Sequence, residues 1–89
     1  MPDNIVYIGK KPVMAYVTAC LTCMSDRRGD GSIIVAARGM AISRTVDVIE
    51  ILKRFTAYEI EDVKFGTDVI NQDGSDRNIS SIHIRIRRV

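Results

Sequence analysis

The chain has no tryptophan, one histidine (His83), two cysteines and two prolines among its 89 residues. A structural zinc asks for about four nitrogen or sulfur ligands, so these three do not make a metal site, and no other cofactor is called for. There is no GxGxxG, and Gly9-Lys10-Lys11 lacks the spacing of a phosphate-binding P-loop, so nucleotide hydrolysis has no support. No apolar run approaches the roughly 20 residues of a membrane helix, because Thr18, Thr22 and Ser25 interrupt the longest candidate. Lys10-Lys11 ahead of an apolar stretch mimics a secretory signal, and Val17-Thr18-Ala19-Cys20 a lipoprotein cleavage site. Only a few residues separate Pro12 from that point, behind a segment that reads as a strand, so an intracellular protein with no membrane partner is expected.

Acid is missing from particular places. Thirteen Lys and Arg against eleven Asp and Glu give a net charge of +2. Yet there is no acid between Asp3 and Asp26, and none between Asp30 and Asp47. Lys10, Lys11, Arg38 and Arg44 therefore have no acidic sequence neighbours, while Asp47, Glu50, Glu59, Glu61 and Asp62 crowd the middle of the chain. The total does not mark a nucleic-acid binder, but its distribution permits an electropositive surface. Residues 1–89 are enough for one domain, whose small core makes self-association the expected remedy.

The hydrophobic pattern supplies six elements. Ile5-Val6-Tyr7-Ile8 reads as a buried strand closed by Gly9. Pro12 suits the first position of a helix in which Val13, Tyr16, Val17, Cys20, Leu21 and Met24 recur at helical spacing, to about Asp26. After the polar turn Arg27-Arg28-Gly29-Asp30-Gly31, Ile33 to Ala37 is a central strand ended by Arg38-Gly39. Ser43 is placed to cap a second helix carrying Val46, Val48, Ile49, Ile51, Leu52 and Phe55. Two long strands follow, from about Glu59 to Ile70 and Ile79 to Arg88, with Asn71 to Asp76 as a hairpin loop. In the last, Ile82, Ile84 and Ile86 alternate with His83, Arg85 and Arg87, the pattern of a sheet packed on one face.

This β-α-β-α-β-β order predicts an α+β fold whose first two strands run parallel, by the right-handed crossover rule. Their C-terminal ends then share one edge, where Lys10, Lys11, Arg38 and Arg44 meet two helix N-termini, an arrangement suited to phosphate. A parallel third strand sends the hairpin past the same edge as an arm bearing Arg77, since about twelve residues span on the order of 40 Å. Arg85, Arg87 and Arg88, later in the returning strand, belong to a different part of the surface.

Catalytic readings are weaker. Cys20-Leu21-Thr22-Cys23 is a CxxC inside a helix, away from the N-terminus that activates redox thiols, and reads as core packing. His83 has no nearby nucleophile or paired carboxylate in sequence, so the chain is not read as an enzyme. Tyr7, Tyr16 and Phe55 are expected to be taken up by core or partner contacts, which disfavours a base-stacking surface.

Ile8-Gly9-Lys10-Lys11-Pro12-Val13-Met14, then Ala37-Arg38-Gly39-Met40-Ala41-Ile42-Ser43, then Val46-Asp47 and Gln72-Asp73-Gly74 resemble the Alba family of archaeal chromatin proteins. The resemblance covers nearly the whole chain. It implies a two-layer fold like the C-terminal domain of translation initiation factor three, with mixed sheet order 1-2-4-3 backed by two helices. It further implies a dimer that coats and compacts double-stranded DNA without sequence preference, arms in the minor groove, associated with the chromosome in the cytoplasm. Lys10, Lys11 and Arg38 carry over directly, the basic arm position falls at Arg77 or Asn78, and Phe55 matches a contact between dimers. By family analogy Lys11 is a candidate for acetylation, which would remove its charge. Met40 departs from the pattern, standing where many members have a basic residue, and Arg27 to Gly31 lengthens the first helix-to-strand connection. RNA binding on the same surface, a heterodimer with a paralogue, and an adaptor docking an acidic partner remain open alternatives.

Overall fold

The structure, a computed structural model, describes residues 4–26 and 29–89. Its elements are β1 (Ile5–Tyr7), α1 (Val13–Met24), β2 (Ser32–Arg38), α2 (Ala41–Leu52), β3 (Tyr58–Gln72) and β4 (Ser75–Arg88). They form a four-stranded sheet of order β1-β2-β4-β3. β1 lies parallel to β2, and β4 runs antiparallel to both β2 and β3. Arg27 and Arg28 of the anticipated polar turn lie outside the described residues.

Alternation decides which face of the sheet is covered. Val6 and Ile8, Ile33 and Val35, and Ile82, Ile84 and Ile86 are buried against α1 and α2, each 7% exposed or less. From the helices, Val17, Cys20, Val48 and Leu52 complete this core at 0% exposure. Thr45 is also at 0%, and its hydroxyl donates to the Ala41 carbonyl one turn back, so its burial leaves no polar atom stranded. Among the described residues, no helix covers the opposite face of the sheet.

Three sequence expectations shift. α2 begins at Ala41 with Met40 at its cap position, not at Ser43. Gly39 adopts φ 61° and its carbonyl accepts from Ile42 N–H, so the chain enters the helix one turn earlier. Ser43 Oγ instead donates back to the Met40 carbonyl. Phe55 follows α2 rather than belonging to it, in a turn whose N–H donates to Leu52.

The third shift concerns the hairpin. Asn71 pairs with Asp76 and Gln72 with Ser75, so the anticipated six-residue loop is mostly ladder. Only Asp73 (φ 54°) and Gly74 (φ 77°) turn the chain. Two successive positive φ values make the tight hairpin turn whose twist matches right-twisted strands, which lets the ladder close up to the tip. β3 and β4 consequently run 15 and 14 residues, longer than the pattern suggests. Opposite Arg38 on β2 stands Ser81 of β4, so residues 67–72 and 75–80 project beyond the body. Six residues at roughly 3.3 Å make an arm of about 20 Å.

Candidate nucleic-acid interface

The segment from Ile8 to Pro12 joins β1 to α1, and its shape is set from three directions. Ile8 N–H donates to the Ala36 carbonyl at 2.9 Å, extending the β1–β2 pairing by one residue. Tyr16, buried on α1, lifts its hydroxyl to accept the Lys11 N–H at 3.0 Å. A Cβ on Gly9 would stand 3.2 Å from that same hydroxyl, so the glycine gives the tyrosine room. Arg44, in the first turn of α2, donates through Nε to the Gly9 carbonyl at 2.9 Å and through Nη2 to the Lys11 carbonyl.

This changes the part Arg44 plays. The sequence placed it with the phosphate ligands, but its guanidinium is engaged with two backbone carbonyls and acts as a brace under the loop. The fork of donors suits that role, because one planar group reaches two acceptors at once. Lys10 and Lys11 are left on the outside, both exposed.

Arg38 leaves β2 at the same edge with its side chain 62% exposed, and its Nη1 lies 3.7 Å from an Asp68 carboxylate oxygen. Between two exposed groups such a pair is worth about 0–1 kcal/mol, so Arg38 can exchange it for another anion. Both helix N-termini open here. Neither has a side-chain cap or an acidic residue in its first turn, so the positive end of each helix is uncompensated. Met40 protrudes beside them at 94% exposure.

The arm stands over this edge because β3 runs in the same direction as β2. Arg77 and Asn78 are both exposed, and as strand neighbours they address opposite faces of the arm. Arg77 Nη1 donates to Gln72 Oε1 at 3.3 Å, and Asn71 Nδ2 to Asp76 Oδ1 at 3.1 Å, so polar cross-strand pairs occupy the tip. A hollow of 510 Å³ lies where the arm meets the body, lined by Gly39, Met40, Ile70, Gln72, Arg77 and Asn78 among others.

Elsewhere, Cys20 is enclosed and burial pushes its thiol up to about 12, with the nearby Cys23 adding to the rise. That is the opposite of an activated redox thiol. Phe55 is 55% exposed. Tyr7 departs from expectation. It is 68% exposed on the helix-free face of the sheet, outside the core. The sequence does carry the signal, since Val6 and Ile8 pointing inward oblige Tyr7 to point outward.

Comparison with known proteins agrees with this construction. The Alba family model matches residues 4–67. The protein named DNA/RNA-binding protein Alba from Nitrosopumilus maritimus is 41% identical over 89 aligned positions, covering 96% of this chain and 90% of the relative. One of the same name from Methanococcus maripaludis is 47% identical, covering 92% and 94%. Among solved structures, Alba from Thermoplasma volcanium superposes with a TM-score of 0.86 at 36% identity, covering 96% of this chain and 100% of that one. ALBA1 from Trypanosoma brucei, at 23% identity, shares the fold with a TM-score of 0.80, over 100% of this chain and 72% of its own. With its paired-lysine loop, its sheet order and its overhanging hairpin all in place, this chain belongs to the Alba family.

Proposed function

We propose that this protein is a chromatin protein that binds double-stranded DNA as a dimer, without sequence preference. The observation that supports the reading is the convergence of Lys10, Lys11 and Arg38 with two acid-free helix N-termini at one sheet edge. Point charges and backbone N–H groups of this kind suit phosphate oxygens, which position a duplex but carry no sequence information. Arg77 and Asn78 on the arm reach along the duplex into its minor groove, and Arg44 keeps the lysine loop in shape. Acetylation of Lys11 would weaken binding by removing one of the central charges.

Dimerisation has its own support. α1 and α2 pack over β1 and β2, and the helix-side face of β3 is left with Ile60, Val63, Phe65 and Val69 between 40% and 81% exposed. An apolar stripe on a chain this small is suited to burial against a second copy or a paralogue. Phe55, exposed at the other end of α2 from the lysine loop, would then link dimers side by side along the DNA.

The test is fluorescence anisotropy with matched duplex DNA and duplex RNA at several salt concentrations. With about six to eight phosphates neutralised per dimer, log affinity falls against log salt with a slope of about −5 to −7 on B-DNA. Lys11→Glu weakens every DNA sequence alike. A salt-insensitive complex, or loss confined to some sequences, would overturn the phosphate role. Duplex RNA bound more tightly than DNA would favour a ribonucleoprotein function of the same edge, a reading supported by relatives named for binding both.

A further inference from the structure

The duplex reading leaves the helix-free face of the sheet without a task. The strand ladders align four residues across it: Tyr7 beside Ala36, Ala36 beside His83, and His83 beside Lys64. Ala36 contributes only a methyl group, so two rings stand as walls on either side of a low floor. The next position on this face of β4 is Ser81, again small, with Arg38 directly beside it on β2 and paired with Asp68 further along. The resulting hollow measures 640 Å³ and is lined by Tyr7, Ala36, Arg38, Asp68, Ser81 and His83 among others. That volume falls within the roughly 300–1,000 Å³ of small-ligand sites.

We propose that this hollow receives one base of a single-stranded nucleic acid, stacked between Tyr7 and His83, while Arg38 holds the adjoining phosphate. Spacing supports the stack. Ring centroids in favourable aromatic pairs lie about 4.5–7 Å apart, so a base between two rings needs about 9–14 Å. Two strand spacings separate Tyr7 from His83, which is about 9.5–10 Å. The polar groups also match. The Asp68 carboxylate accepts hydrogen bonds from N–H groups on a base edge, and the Ser81 hydroxyl either donates or accepts.

Charge selects a polyanion over an apolar ligand. Arg38 borders both this hollow and the phosphate edge, and the exposed Lys10 and Lys11 follow two and three residues after Ile8, which also lines the hollow. Paired bases in a duplex are stacked and turned inward, whereas an unpaired strand can present a base to an aromatic surface. The same protein would thus hold a duplex by its edge alone and a single strand by edge and face together.

This inference rests on the phosphate reading through Arg38, and the experiment separates the two. The wild type, Tyr7→Ala, Tyr7→Phe and Lys11→Glu are titrated with a single-stranded DNA dodecamer, its version with abasic sites, and the matching duplex. Stacking on one aromatic side chain corresponds to about a five- to hundred-fold change in affinity. Tyr7→Ala is expected to lose that factor on the intact single strand, with duplex binding within about two-fold of wild type, and Tyr7→Phe to retain it. The abasic strand should bind the wild type more weakly and show no further loss with Tyr7→Ala, because the two changes remove one contact. Unaltered single-strand affinity in Tyr7→Ala overturns the base site and leaves the duplex reading intact. Full duplex binding by Lys11→Glu overturns the phosphate reading on which the site rests.

Discussion

Within β4, Ile82, Ile84 and Ile86 lie under the helices at 7% exposure or less, while no side chain from Ser75 to Ser80 is buried. One strand therefore passes from a region held by packing into a region held by its ladder and its turn. In the body, Lys10 and Lys11 inherit their positions from the packed core beneath them. In the arm, Arg77 and Asn78 depend on strand register and on two residues with positive φ. The same substitution has different consequences in the two regions, and that difference can be measured.

The largest contrast is between methyl groups in the two halves of the sheet. Ile86→Ala, at a 0% exposed site, should cost about 2–5 kcal/mol in urea unfolding. Thr67→Ser, which removes a methyl group at an exposed position on the arm, should stay within about 0.5 kcal/mol. Comparable losses at both sites would show that the arm shares the core's cooperativity.

Arg44→Lys comes next. It keeps the charge and gives up the two-pronged grip on Gly9 and Lys11, at about 1.5–3 kcal/mol for hydrogen bonds from a charged donor. Duplex affinity should fall although net charge is unchanged. If the lysine variant binds duplex as well as wild type, the brace does not position the loop.

A smaller effect is expected at the tip. Gly74→Val forces a β-branched residue to φ 77°, at a cost of about 1–2 kcal/mol. Faster amide hydrogen exchange across the arm, with body amides unchanged, is the expected readout. Spread of the exchange into β2 would join the two regions into one unit.

The smallest effect, read at pH 10, is alkaline. The enclosed Cys20 thiol keeps its proton to about pH 12, whereas an unfolded one releases it near 9. Stability from this group is complete below pH 9 and declines as pH rises from 9 to 12, by about 1.4 kcal/mol at pH 10. Cys20→Ala should remove that slope from the pH dependence of the unfolding midpoint.

What is legible in the sequence is the part set by local period and topology. The isoleucines of β4 have only one way to alternate, and the crossover rule by itself brings Lys10, Lys11 and Arg38 to one edge. The CxxC inside a helix is readable as packing from its position alone. Arg44 is not legible in its role, because charge is written in the sequence and direction is not. Its Gly9 partner is 35 residues away, and only the fold makes them neighbours. Ser43 fails as a cap because Gly39, with its positive φ, opens the helix earlier. Tyr7 escapes a reading of Ile5 to Ile8 as wholly buried despite a usable signal, because β1 is an edge strand with one open face.

The position of β3 has one more consequence. It is an outer strand, fifteen residues long, and among the described residues no strand pairs with the backbone N–H and C=O groups of its outer side. Such an edge is a template for aggregation through strand addition. Glu59, Glu61, Asp62, Lys64 and Asp68 stud it with charge, and the register slips between Ile60 and Asp62, placing a bulge at Glu61. Acids that look like a solvated stretch of the sequence thus guard the most adhesive border of the molecule. Neutralising them would leave that edge freer to pair with a strand of another molecule.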